Sequence, residues 1–345
     1  MVSRRQFLRL TGFAGASCCT GCNVTGNGAG WTKAEIRNIE TTAGSFGGSG
    51  WAAWQNGRQL AAWREEERGP SLSITKTIAA LAATAAMGKG MLEPSDKVAD
   101  TLHEWRNDPR KARITISMLL QQTSGLEAGV VALYRSNPAD KGKAAVALRA
   151  VDEPGTVFRY GPSHWEVLAE LLRRKLAANK QTSASFIARS VLLPIGISSP
   201  KWRSDKQDIA YLSTGAEFSV NDLGRLGRTL ARLLNGSNAA GFNAENFAAV
   251  TRPSSINPMF GGGLWRNSNA DRASRAAIEV ENALNHPLPS SFWRDACLSL
   301  RQPVDFTALI GSGGRRVYLW PGEGKVIARL GSSNSWSDIR FLTNV

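Results

Sequence analysis

Residues 71–87 read Ser-Leu-Ser-Ile-Thr-Lys-Thr-Ile-Ala-Ala-Leu-Ala-Ala-Thr-Ala-Ala-Met, small and aliphatic side chains with one charge, Lys76. Pro70 leads into the run and Ser and Thr populate its start, the marks of a helix N-terminus. A helix apolar on every side has no face to offer water and must be enclosed. Its small-apolar part, residues 77–88, is too short to span a bilayer, so the enclosure must be protein.

Strand patterns at both ends of the chain supply that enclosure. Residues 50–54 and 59–64 flank Asn56-Gly57, a two-residue hairpin signal. The charged run 65–68 reads as a solvated edge. Residues 306–310, 315–320 and 325–330 read as strands, with turns at 311–314 and 321–324. Between them, residues 91–200 read as mostly helical, and 220–234 as a helix closed by Asn235-Gly236. This order predicts an α+β fold: an antiparallel sheet from N- and C-terminal strands, flanked by helices, with a mostly helical inserted subdomain. The expected division is 1–22 leader, 23–40 tether, 41–90 and 205–345 sheet domain, and 91–204 helical subdomain. At 345 residues, 42% hydrophobic and 20% charged, the chain is neither disordered nor fibrous in composition.

The leader carries an address. Ser3-Arg4-Arg5-Gln6-Phe7-Leu8-Arg9, followed by a weakly apolar stretch, matches the twin-arginine export pattern. Cys19-Thr20-Gly21-Cys22 is similar to a lipobox, which would make Cys22 a lipid anchor; cleavage after Ala14-Gly15-Ala16 is the alternative. An exported protein, periplasmic or membrane-anchored, is expected. Only Cys297 remains in the body, which excludes a disulfide framework there. The net charge of +14 becomes +11 without Arg4, Arg5 and Arg9. The basic residues are scattered with no recognition motif, so a solvated basic surface is expected and no nucleic-acid partner.

Chemistry is concentrated at Ser73-Ile74-Thr75-Lys76. On a helix, positions three apart share a face, so the hydroxyl and the amine can meet. At the helix N-terminus the serine N–H is free, and the dipole favours developing negative charge. A lysine desolvated by apolar neighbours can lose its proton near neutral pH and act as a base, which permits nucleophilic catalysis without histidine. About one such tetrapeptide is expected by chance in a chain this long. Ser198-Ser199-Pro200-Lys201 is a second match, but Pro200 drives Ser199 out of helical conformation.

The setting of the first match resembles the serine β-lactamase and penicillin-binding-protein superfamily. Ile114 through Leu126, ending Thr123-Ser124-Gly125-Leu126, is similar to its conserved-order "TSGL" block. Pro154-Gly155-Thr156-Val157-Phe158-Arg159-Tyr160 resembles the approach to its tyrosine, and Asn221-Asp222-Leu223-Gly224, Phe260-Gly261-Gly262-Gly263 and Gly313-Gly314-Arg315 follow in the family's sequence of landmarks. The resemblance implies Ser73 as nucleophile, Lys76 and Tyr160 as proton handlers, and the backbone N–H groups of Ser73 and Gly314 as an oxyanion hole. It also implies that Ser312, Gly313 and Ser163 contact substrate, with no cofactor and no metal.

Two departures narrow the activity. Pro162 stands where Tyr-x-Asn is usual, leaving Ser163 as a partial substitute, and Gly311-Ser312-Gly313 lacks the Lys or His that pairs with a substrate carboxylate. The expected function is therefore an esterase or amidase acting on a small ester, amide or peptide-like substrate. A β-lactamase or D-Ala-D-Ala carboxypeptidase, and a catalytically silent envelope protein, are the alternatives. His103, His164 and His286 have no metal-ligand spacing, His164 reading as a packed helix residue, and the triple glycine at 261–263 reads as close backbone approach.

Overall fold

The computed structural model describes residues 30–198, 201–206 and 210–345. The twin-arginine heptad, Cys22 and the first part of the tether lie outside the described residues. The rest of the tether is a correction: residues 33–40 belong to a helix, Lys33–Ala43, that buries Ile39 and Ala43. Thr32 and Glu35 form a reciprocal capping box at its start, a signature that the Gly- and Thr-rich residues before it overshadowed.

The architecture is α+β. Strands β1 (Gly48–Gln55) and β2 (Arg58–Trp63) form the expected hairpin. Asn56 and Gly57 both take positive φ, 48° and 83°, as a type I′ turn requires. Short strands β3 (Arg68–Pro70), β4 (Lys201–Trp202) and β5 (Ala216–Ser219) make a small antiparallel sheet in the order β3-β5-β4. Thus Lys201 opens a strand, just ahead of the expected boundary at 205, and does not continue a helix from Ser198. Strands β6 (Phe260–Gly261) and β7 (Leu264–Arg266) follow, and β8 (Ala276–Ala277) pairs in parallel with β9 (Ala296–Cys297). The chain closes with β10 (Thr307–Gly311), β11 (Arg315–Trp320) and β12 (Lys325–Gly331). The main sheet runs β2-β1-β12-β11-β10-β7-β6, so the first hairpin pairs with the last strand.

The helix Val220–Leu234 starts at a Ser219/Asp222 capping box and covers one face of this sheet. The insertion is helical only in pieces: Ile116–Leu120, a π-turn at Val130–Arg135, Lys141–Ala147, Ser163–Ala177 and shorter turns, separated by irregular backbone. The anticipated central helix runs Thr75–Gly88 behind a 3₁₀ turn, Leu72–Ile74, and most of its residues are buried.

Gly262 and Gly263 join β6 to β7 with positive φ, and a Cβ on Gly263 would lie 2.7 Å from Thr77 N and 2.8 Å from Lys76 C. The triple glycine therefore lets a sheet edge reach the backbone of the central helix at Lys76. Gly263→Ala should cost about 1–3 kcal/mol in chemical denaturation. Gly236→Ala, with φ 75° but nothing within 4 Å, should lose less, separating collision from backbone strain.

Candidate active site

The head of the central helix is pinned from β5. Ser71 N and Oγ donate to Ala216 O at 2.9 and 2.8 Å, while Ala216 N donates to Thr75 Oγ1 at 3.2 Å. Leu72 is held at φ 47°, a strained value for a residue with a side chain, and the chain turns there to present Ser73. One helical turn on, Lys76 Nζ lies 2.8 Å from Ser73 Oγ and donates to Ser213 O at 3.1 Å.

Lys76 is 1% exposed. Burial lowers its ammonium to about 7, against the opposing attraction of the Glu166 carboxylate. Near neutral pH much of it is free amine. Glu166 is buried too, and burial pushes its carboxyl up. It accepts from Ser213 N at 3.1 Å and from the Ser213 hydroxyl. Ser213 thus bridges the two: its donors go to Glu166 and its carbonyl to Lys76.

Tyr160 completes the group. Its ring centroid lies 5.0 Å from Lys76 Nζ. Burial raises the phenol to about 12, with hydrogen bonding to Ser73 acting the other way, so it is neutral at ordinary pH. Phe260, Trp265 and Phe158 hold the ring, with centroids 5.9, 6.1 and 6.4 Å away. Its backbone is fixed by Gln122, whose carbonyl accepts from Arg159 N at 3.0 Å and whose Oε1 accepts from Gly161 N at 2.7 Å. His164 is buried and its imidazolium is lowered to about 4, chiefly by burial. As the neutral Nε2–H tautomer it donates to Arg159 O at 2.8 Å and accepts from Ser124 Oγ at 2.9 Å, a structural tie between two of the sequence blocks.

A cleft of about 500 Å³ opens over Ser73, with Leu72, Tyr134, Lys141, Arg203 and Ser312 among its walls. The end of β10 comes close to the serine turn: a Cβ on Gly311 would lie 2.5 Å from Ser71 O. Three residues expected at the site do not line this cleft. Gly313 is buried with its N–H on Glu281 Oε2 at 3.3 Å. Gly314 packs against Arg329 and Trp336, its carbonyl accepting from Arg329 Nη1, because the hairpin that pairs Gly311 with Arg315 folds these glycines back over that guanidinium. Ser163 is wholly buried near Gly129 and its Oγ has no partner among the described residues; Pro162 leads straight into the helix, which turns Ser163 inward. Of the predicted residues, Ser73, Lys76, Tyr160 and Ser312 come together. Glu166, Ser213, Tyr134 and Lys141 were missed. A carboxylate set among Trp165, Val167 and Leu168 was a readable signal for Glu166; Ser213 had none. Among the described residues no His, Cys, Asp and Glu group is arranged to hold a metal ion, and no helix is long and apolar enough to cross a membrane.

An α+β fold with a serine and a buried amine at the head of its enclosed helix is that of a serine hydrolase. The Beta-lactamase family model matches residues 36–325, and the chain belongs to that family. No curated protein matches it in sequence. Solved structures share the fold at low identity. A Bacillus anthracis protein provisionally named a 6-aminohexanoate-dimer hydrolase is 13% identical with TM-score 0.66, over 90% of this chain and 79% of that one. A class C β-lactamase from Rhodobacter sphaeroides is 14% identical with TM-score 0.63, over 90% and 97%. A D-stereospecific amidohydrolase from Streptomyces is 15% identical with TM-score 0.60, over 90% and 96%.

Because the Lys76 ammonium falls from 10.5 when unfolded to about 7 when folded, the unfolded chain binds more protons between those values. Burying this lysine therefore costs stability in full below pH about 7, and the cost fades between about 7 and 10.5. Lys76→Met should melt higher than wild type at a pH of about 6, with the gain shrinking toward about 10. An unchanged melting temperature across that range would remove the burial cost.

Proposed function

We propose that the chain hydrolyses ester or amide bonds through an acyl-enzyme on Ser73. The observation that carries this reading is the 2.8 Å contact between Ser73 Oγ and a Lys76 amine that burial lowers to about 7. Ser73 Oγ attacks the carbonyl carbon as its proton passes to the Lys76 lone pair. The oxyanion is held by Ser73 N–H and a backbone amide of residues 311–314; Ser312 is the member that lines the cleft, which favours it over Gly314. As the carbonyl–heteroatom bond breaks, the neutral Tyr160 phenol protonates the leaving group, and the Lys76 ammonium restores the phenol's proton. Water then repeats the sequence in reverse, releasing the acid and Ser73. An esterase or amidase is favoured over a β-lactamase because Gly311 brings no cation to the third motif and Pro162 no amide. The Bacillus anthracis and Streptomyces neighbours are named as a 6-aminohexanoate-dimer hydrolase and an amidohydrolase, in keeping with this reading, while the Rhodobacter sphaeroides neighbour is named as a β-lactamase.

A fluorophosphonate probe should label wild type and not Ser73→Ala; equal labelling of both removes Ser73 from the mechanism. Tyr160→Phe should lower kcat by about 10²–10⁴-fold with folding intact. The acid limb of kcat/KM should fall near 7, where Lys76 becomes a free amine. Because the Glu166 charge raises that value, Glu166→Gln should move the limb to lower pH; a limb that stays in place assigns it to another group.

Export by the twin-arginine route and anchoring through Cys22 belong to the same reading, supported by the heptad at residues 3–9. Cell fractionation should find an Arg4→Lys, Arg5→Lys variant in the cytoplasm and wild type outside it. The same distribution for both would discard the export reading.

A further inference from the structure

The cleft over Ser73 contains a cation that acyl transfer leaves unused. Lys141 opens the helix Lys141–Ala147, its backbone N–H donating to Asp205 Oδ2 at 2.9 Å. The residue is 4% exposed, yet it lines the cleft. Its ammonium lies 3.6 Å from the ring centroid of Tyr211 and 5.8 Å from that of Tyr134. It makes no hydrogen bond or ion pair with any described residue. Glu166 and Asp205 attract it from beyond ion-pair distance, and Arg203, on the same cleft, repels it. Arg203 donates through Nη2 to Thr214 O at 3.0 Å, which fixes one nitrogen of its guanidinium beside the opening. Aromatic faces balance charge but offer no lone pairs, so the three donors of this ammonium remain open. A nearly buried, unpaired ammonium beside a second cation is costly unless an anion enters between them.

Which part of a substrate would bring that anion follows from the second cavity. Tyr160, which serves the leaving group in the proposed scheme, lines a separate pocket of about 220 Å³ with Phe158, Leu284 and His286. The substrate portion beside Lys141 is therefore the portion that stays on Ser73. We propose that Lys141 and Arg203 form a carboxylate subsite, and that the hydrolase reading, on which this rests, narrows to esters or amides whose acyl chain ends in a carboxylate. The cation enters from the inserted helices, where the third motif of the sheet has only Gly311.

The test compares p-nitrophenyl hydrogen glutarate with p-nitrophenyl valerate, equal in acyl length and differing by the terminal carboxylate. Calorimetric binding of glutarate is measured alongside. Wild type should favour the glutarate ester by about tenfold or more in kcat/KM. Lys141→Met should lose about 10–100-fold on the glutarate ester, stay within about twofold on the valerate ester, and no longer bind glutarate. Arg203→Gln, on an exposed side chain, should show a smaller loss of the same sign and guards against misfolding of the first variant. Glutarate binding that depends on Lys141, with neither ester acylating Ser73, would support the subsite and sink the hydrolase reading. Equal wild-type rates on the two esters without glutarate binding, or an equal loss on both esters in Lys141→Met, would overturn the subsite and leave the hydrolase reading standing.

Discussion

Withdrawing an amine from water lowers its hold on a proton, and the structure around Lys76 does this. The helix that carries it is apolar around nearly its whole circumference, so it can be enclosed without burying other charge. Gly263 lets the sheet edge touch the helix backbone at Lys76, and β5 holds the preceding turn through Ala216. Enclosure alone would drive the amine's proton affinity down further still. Glu166 opposes it, and the geometry sets how strongly. A direct ion pair would return Lys76 toward its ordinary value and leave it charged; Ser213, standing between them, lets the carboxylate act at a distance.

The same centre joins the two halves of the chain. Ser73 and Lys76 come from the sheet-side helix and Tyr160 from the insertion, so their meeting depends on packing between elements far apart in sequence. Two features secure it. Phe158 and Tyr160 from the insertion pack into an aromatic cluster with Phe260 and Trp265 from the sheet edge. Gln122 ties the two insertion segments together through the Gly161 N–H, and His164 through the Ser124 hydroxyl. Gln122 itself sits at φ 55°, a strained value, and it makes contacts on both sides of that bend.

Local chemistry and the enclosure of the central helix were legible in the sequence; contacts between distant segments were not. The Asn56-Gly57 hairpin, the 220–234 helix and the three C-terminal strands fall where alternation and turn residues put them, because each signal is contained in the segment it describes. The insertion is more broken than its composition suggests, since short helices there are set by neighbours rather than by their own propensity. The helix at 33–43 was hidden by a composition argument that outweighed a capping box. At the site, Ser73, Lys76 and Tyr160 could be named from spacing and block order. Glu166 could be noticed from its apolar neighbours, but its part and that of Ser213 depend on a fold that places residue 213 beside residue 76. Ser163 and Gly314 were carried over by position alone; neither lines the cleft over Ser73, and Ser163 is wholly buried.

One of the two departures from the family pattern, at the third motif, has a physical setting. Gly311 is not merely a position that lacks a lysine or histidine. A Cβ there would stand 2.5 Å from the Ser71 carbonyl, so no side chain fits unless the strand retreats from the serine turn. Closeness of β10 to that turn brings Ser312 into the cleft beside Ser73, and it excludes a cation from the strand for the same reason. Positive charge at the cleft comes instead from another part of the chain: Lys141 and Arg203 stand on walls contributed by the insertion. The close approach and the relocated charge are two consequences of one strand position.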